Sequence, residues 1–257
     1  MADASFFQWV AYFITNYWPQ FLNGAGITLL IAITGTVIGS LIGLIIGVIR
    51  TIPKPKKGKS LKRFFHKLVN IILSCYIEIF RGTPMIVQAM VIFYGCAFAG
   101  LYLPRTTAAI FIVSINTGAY MAEIVRGGIL SIDKGQFEAA QSLGMTHWQT
   151  MTSVVLPQAI RNILPATGNE FVINIKDTSV LNVISVSELF FTSQTIAGIN
   201  FQYFPVFLIT CVLYFIMTFT VTRILRFAEK RMAGSDTYTI HASSTMPKGQ
   251  LKVTKEH

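Results

Sequence analysis

Histidine and cysteine are scarce in this chain, four and three residues in 257, and their placement removes several kinds of chemistry. Cys75, Cys96 and Cys211 stand in apolar surroundings with no Cys-x-x-Cys pairing, which indicates neither a zinc site nor a disulfide framework. His66, His147, His241 and His257 all fall outside the long apolar runs, so haem ligation across facing helices has no support. A membrane enzyme would also need a nucleophile with its base, and the chain offers no such pair. Charge is sparse too, 12% of residues, and one-sided, with 21 Lys and Arg against 11 Asp and Glu. The basic residues cluster beside apolar spans rather than along a phosphate-binding face, which points to anionic lipid headgroups and away from nucleic acid. A phosphate-binding loop is missing as well. Gly58-Lys59-Ser60 imitates its end, but position 53 is proline where the pattern needs glycine. No nucleotide site, cofactor site, metal site or catalytic residue is therefore expected here, and if ATP drives the protein another chain must hydrolyse it.

What the chain has in quantity is apolar sequence, 53% of residues, which places it with membrane proteins. The expected fold class is an all-α membrane protein with five transmembrane helices. Residues 1–25 mix Phe6, Phe7, Trp9, Tyr12, Phe13, Tyr17 and Trp18 with Gln8, Asn16 and Gln20, which suits a helix lying at the outer surface, and Pro19 and Gly24 lead out of it. Gly26 to Ile49 is uncharged and apolar over about the ~20 residues a span needs. Within it Gly35, Gly39, Gly43 and Gly47 recur at every fourth position and lay a groove along one face, for packing inside the subunit or for a dimer interface. Arg50 to Lys67 carries eight basic residues and no acid, which makes this loop cytoplasmic. Gly82-Thr83-Pro84 breaks or kinks the next apolar helix, so the second span runs from Thr83 to Gly100 or begins near residue 70 in a longer kinked helix. The third span is Arg105 to Val125. The fourth begins near Arg161 and Asn162 and passes Pro165, Gly168, Glu170 and Asp177; the fifth is Phe204 to Ile224. Residues 178–202 form an outward-facing polar segment with a short helix, and 233–257 a disordered cytoplasmic tail. Five spans and the basic loop put the N-terminus outside and the C-terminus inside, with residues 26–232 as one membrane domain.

Between the third and fourth spans lies a polar island, about residues 127–160. Asp133 with Gln136 makes a capping-box-like start, Phe137 to Leu143 about two helical turns, and Gly144 a left-handed cap. Thr146 with Gln149 then caps a second helix that runs towards Pro157. Ala139 and Ala140 strip bulk from the first helix where a partner could approach.

The order and spacing of Glu138, Ala139, Ala140, Gly144, Val154, Leu156 and Pro157 resemble the EAA loop of ABC importer permeases, with Val154 in place of the usual isoleucine. Arg81 to Gln88 (RGTPMIVQ) and Lys176 to Val180 (KDTSV) resemble the polar amino-acid branch, so the likeness covers roughly residues 20–230. It implies the type I ABC importer permease fold in a bacterial inner membrane, with Glu138, Ala139, Ala140, Gly144, Leu156 and Pro157 coupling to an ATPase subunit that binds ATP and magnesium. It also implies a second permease copy or paralogue and an extracellular solute-binding protein. An autonomous secondary carrier fits less well, because no internal inverted repeat is visible. Glu170 and Asp177, seven residues apart, project from nearly one face of the fourth span, about 10 Å apart along its axis. They are paired with Lys176 or with Arg126, or they bind substrate. On the second reading Asp177 receives an α-ammonium, Glu170 a cationic side chain of arginine, lysine or histidine, and Asn174, Thr178 or Ser179 helps orient a carboxylate. Glutamine or another neutral polar amino acid is the alternative substrate.

Overall fold

The computed structural model describes residues 5–53 and 60–232, and every regular element among them is helical. The order is α1 (Phe6–Thr51), α2 (Ser60–Gly82), α3 (Met85–Phe98), α4 (Arg105–Leu130), α5 (Lys134–Ser142), α6 (His147–Thr150), a π-helical turn (Met151–Val155), α7 (Leu156–Asp177), a 3-10 segment (Thr178–Ile184), α8 (Leu189–Asn200) and α9 (Tyr203–Met232). Phe6–Thr51, Arg105–Leu130 and Tyr203–Arg231 are each long and apolar enough to cross a membrane. Two bent pairs join them as broken spans: α2 with α3, bent by 114°, and the run from His147 to Ile184 with α8, bent by 54°.

The centre of the bundle is the pairing of α1 with α4. A Cβ built on Gly35 would meet Val113 at 2.5 Å, on Gly39 Thr117 at 2.7 Å and on Gly47 Val125 at 2.6 Å, and one on Gly43 would collide with Met121. The glycine groove is thus filled inside the subunit, one α4 side chain per helical turn, as small-residue seams in membranes are. Because the register keeps step in the same direction, α1 and α4 run parallel, so α2 and α3 between them must return the chain to its starting side. α7 is antiparallel to α4, with Asn174 beside Thr117 and Ile163 beside Gly128, and α9 is antiparallel to α7, with Leu225 against Gly168.

Two expectations are corrected. From Phe6 onward the aromatic stretch is not separated from the first span, since α1 runs unbroken through Pro19. Proline in a helix interior costs about 3 kcal/mol in local terms. Here Phe13 before it and Phe21 after it are buried in one cluster with Leu189, Ile196, Ala197 and Val206, so a break at Pro19 would expose one flank. Residues 178–202 hold the expected short helix, α8, but the stretch before it is buried rather than facing outward. Leu181, Ile184 and Val186 join Ile31, Ala89 and Ile112 in the core. Glu188 is fully buried as the N-cap of α8, where it accepts from the backbone N–H of Phe190 (2.9 Å) and Phe191 (2.7 Å) and from the Tyr214 hydroxyl (2.9 Å). Four acceptances by one carboxylate, with Thr28 at 3.5 Å as the fourth, join α1, α8 and α9. The expected disordered tail, 233–257, lies outside the described residues, as does half of the charge of the basic loop, at 54–59.

Candidate functional site

The polar island folds as its caps dictate. Asp133 caps α5 by accepting from the Gly135 N–H at 2.6 Å, and the expected reciprocal bond from Gln136 is replaced by backbone pairing of its N–H with the Asp133 carbonyl at 3.0 Å. At the other end Met145 N–H bonds the Ala140 carbonyl (3.1 Å) and Gly144 N–H the Gln141 carbonyl (2.9 Å), the two bonds of a Schellman cap, with Gly144 at φ +78°. Thr146 and Gln149 form the expected capping box: Thr146 N–H donates to Gln149 Oε1 at 2.8 Å and Gln149 N–H to Thr146 Oγ1 at 3.3 Å. The π-helical turn then rotates Met151 and Val155 into the bundle, where they pack with Ile129, Ile132, Ala159 and Ile163. Pro157 stands in the first turn of α7, directly after the π-helical turn.

The EAA residues do not all face one way. Glu138, Ala139, Gly144 and Pro157 are exposed, and Leu156 is half-buried. Ala140 is buried and faces the subunit's own core, so only Ala139 leaves its small surface outside. Two residues that sequence reasoning passed over stand at the tip instead: Leu143 is 83% exposed and Trp148 69% exposed, flanking Gly144. Large apolar side chains beside a glycine cap in an otherwise polar island were the available signal.

The carboxylates of α7 lie midway through the bundle. Asn174 is buried and donates to Thr36 Oγ1 of α1 (2.7 Å) and Thr117 Oγ1 of α4 (3.0 Å), and Thr117 lies midway along α4. The Asn174 amide is thus a clasp between three helices, not the ligand-orienting group expected. Thr178 is buried with its hydroxyl on the Ile175 carbonyl at 2.9 Å, and Ser179 bonds the Lys176 carbonyl at 2.7 Å. Glu170, one turn from Asn174, is half-buried, and Asp177 and Lys176 are exposed. Ion pairing with Arg126 does not occur: Arg126 donates to Glu123 at 2.8 and 3.1 Å, and Glu123 also pairs with Arg50. Among the described residues no ion pair engages Glu170, Asp177 or Lys176. Arg81 of α2 is exposed, and its guanidinium stands 5.5 Å over the Tyr120 ring of α4. An exposed charge half-way through a bilayer must meet water or protein, because lipid there would cost on the order of 2.5 to 3.5 kcal/mol per charge.

Residues 58–234 match the protein family described as "Binding-protein-dependent transport system inner membrane component". Over 216 residues, 83% of this chain and 93% of the relative, the sequence is 40% identical to the glutamine transport system permease protein GlnP of Escherichia coli (strain K12). It is 34% identical over 218 residues, 84% of this chain and 88% of the relative, to the L-cystine transport system permease protein TcyB of Bacillus subtilis (strain 168). A crystal structure of an amino acid ABC transporter with histidines superposes with a TM-score of 0.74 at 36% identity, covering 89% of this chain and 99% of that one. An inward-facing MetNI methionine ABC transporter shares the fold at a TM-score of 0.62 and 21% identity, covering 80% and 94%.

Proposed function

The chain belongs to the family of inner membrane components of binding-protein-dependent transport systems, and from that premise we propose how its two exposed sites work. It is a membrane-spanning permease subunit of an amino-acid ABC importer and not itself an enzyme, hydrolysis being the task of a separate subunit. The observation that carries the coupling role is the pair Leu143 and Trp148, held out from the bundle on either side of Gly144 while Met151 and Val155 tie the loop to α4 and α7. A partner cleft that covers this tip gains apolar burial, and any movement of the cleft passes to two helices at once. The ATPase subunit, with its ATP and magnesium, fills that role; Glu138, Ala139 and Pro157 border the contact, and Ala140 and Leu156 support it from inside. A second copy of this chain and an extracellular solute-binding protein complete the importer in a bacterial inner membrane.

The substrate is a polar amino acid. Glu170 and Asp177, two carboxylates without an ion pair among the described residues, favour a cationic one such as arginine, lysine or histidine. The likeness to GlnP favours glutamine as a second reading. With the permease and its ATPase reconstituted in proteoliposomes, arginine is expected to stimulate hydrolysis more than glutamine does; the reverse order selects the second reading, and no response to any amino acid removes both.

Counting each bent pair as one crossing gives five spans, with the N-terminus outside and the C-terminus inside. Cysteine placed at Lys62, on a background with Cys75, Cys96 and Cys211 replaced, is expected to react with impermeant thiol reagents in inside-out vesicles only. Labelling of that position in intact cells inverts the topology.

A further inference from the structure

The first turns of α2 carry a surface that the rest of the subunit leaves open. From Leu61 to Asn70 no residue is buried. Further along the helix is held: Ser74 lies 3.4 Å from the Arg50 guanidinium, Tyr76 donates to the Ile115 carbonyl of α4, and Ile77 is buried. Leu61, Phe64, Phe65, Leu68, Ile72 and Ile79 are all exposed, and their spacing puts them within about 100° of one another around the helix axis. Ile77 falls on the opposite side, about 160° from Leu61, so this apolar stripe faces away from the bundle over the whole length of α2.

The end of α1 sets the level of the stripe. Arg50 is the first charged residue of α1 after an uncharged run of apolar sequence, and His66 Nε2 of α2 lies 3.1 Å from the carbonyl of Ile52, one residue past that helix. The first turns of α2 therefore stand where hydrocarbon gives way to headgroups. Phe64 and Phe65, 62% and 57% exposed, point outward at this boundary. Cations line both edges of the stripe. Lys62 is about 60° beyond Phe65 on one side and Lys67 about 60° beyond Phe64 on the other, and both are exposed. From Arg50 to Ile77 the chain has no Asp or Glu to answer them. Lysines so placed lay their methylenes along the phenylalanines and keep their ammonium groups in the polar layer.

We propose that this foot of α2 is a binding site for anionic phospholipid, with Lys62 and Lys67 holding phosphates at the two edges and the acyl chains lying along Phe64, Phe65, Leu68 and Ile72. The two halves of the surface select the ligand together. An apolar protein helix would cover the phenylalanines but leave the lysines unanswered, and a nucleic acid would meet the lysines but leave the phenylalanines in water. A phospholipid carries anion and hydrocarbon on one molecule, in the order in which α2 presents their partners along the membrane normal. Bound lipid supplies the packing that the protein does not give these turns, and so fixes the entry of the broken span. The site is independent of the transported substrate and goes beyond the reading of the chain as a permease.

The test places a bimane fluorophore on cysteine at position 68, on the background with Cys75, Cys96 and Cys211 replaced, in the permease and ATPase complex. The complex is reconstituted in phosphatidylcholine vesicles holding either doxyl-labelled phosphatidylglycerol or doxyl-labelled phosphatidylcholine at the same low mole fraction. Phosphatidylglycerol is expected to quench as though its local concentration were roughly fivefold that of phosphatidylcholine, the effect of one cation at an anionic surface. The preference should shrink in 1 M salt. Lys62→Gln with Lys67→Gln should bring it close to one at unchanged elution volume, and Lys62→Arg with Lys67→Arg should keep it. Equal quenching by the two lipids overturns the proposal, because the stripe then meets ordinary bilayer. A preference that survives the double glutamine variant also overturns it, by assigning the selectivity to charges elsewhere in the chain. Absence of quenching by either lipid overturns it in favour of a protein covering the stripe.

Discussion

Gly144→Asp is expected to abolish uptake while the permease reaches the membrane in wild-type amount. Nothing within the subunit opposes the new side chain, since no heavy atom lies within 4 Å of where a Cβ would stand. Its backbone at φ +78° costs a non-glycine residue about 1 kcal/mol, and aspartate is among those that tolerate the left-handed region best. The fold of the loop is secured elsewhere, by the Thr146–Gln149 box and by Met151 and Val155 in the core. What changes is the tip, where a carboxylate appears between Leu143 and Trp148 at a surface that a partner must dehydrate. Burying an unpaired charge in such a contact costs several kcal/mol, enough to dissociate the ATPase or uncouple its hydrolysis. Uptake, membrane abundance and co-purification of the ATPase measured on one preparation decide it. Normal uptake by this variant would remove the loop from the coupling path.

A second large effect is expected at the opposite kind of glycine. Gly43→Leu should destabilise the permease by at least about 3 kcal/mol, the upper part of the range for overpacking, because the added atoms would enter the backbone and side chain of Met121 rather than the end of a flexible chain. Gly26→Leu is the control on the same helix, with no atom within 4 Å of its Cβ position, and should leave stability within about 0.5 kcal/mol. Thermal unfolding in detergent, followed by loss of the monodisperse peak, separates the two. Equal melting temperatures for both variants would mean that α1 and α4 do not meet along this seam.

The contrast between these glycines shows which parts of the molecule a sequence can disclose. The Gly35 to Gly47 series was visible because its period matches the helix and its partners repeat at the same interval on α4. The caps of α5 and α6 were visible because a capping residue acts on atoms two to five positions away. Asn174 was misread for the opposite reason: its partners Thr36 and Thr117 are set by packing of distant segments, so the amide looked free. Glu188 looked like part of an outward-facing segment because neither Thr28 nor Tyr214 is near it in the chain. Pro19 shows local preference losing to tertiary burial on both of its flanks. At Gly82-Thr83-Pro84 the break was legible, but not that Gln88 would donate to the Phe80 and Thr83 carbonyls and accept from Asn116 of α4.

The parallel course of α1 and α4 imposes an order on biogenesis. The glycine groove of α1 is complete once residue 47 has been synthesised, yet the side chains that fill it, Val113 to Val125, emerge only after the intervening broken span has entered the bilayer. Until then α1 is held in lipid by hydropathy alone, its small-residue face bare to acyl chains or to the insertion machinery. Assembly of the centre is therefore a late, post-insertional event, and a nascent chain released before α4 would carry its best helix-packing surface unoccupied.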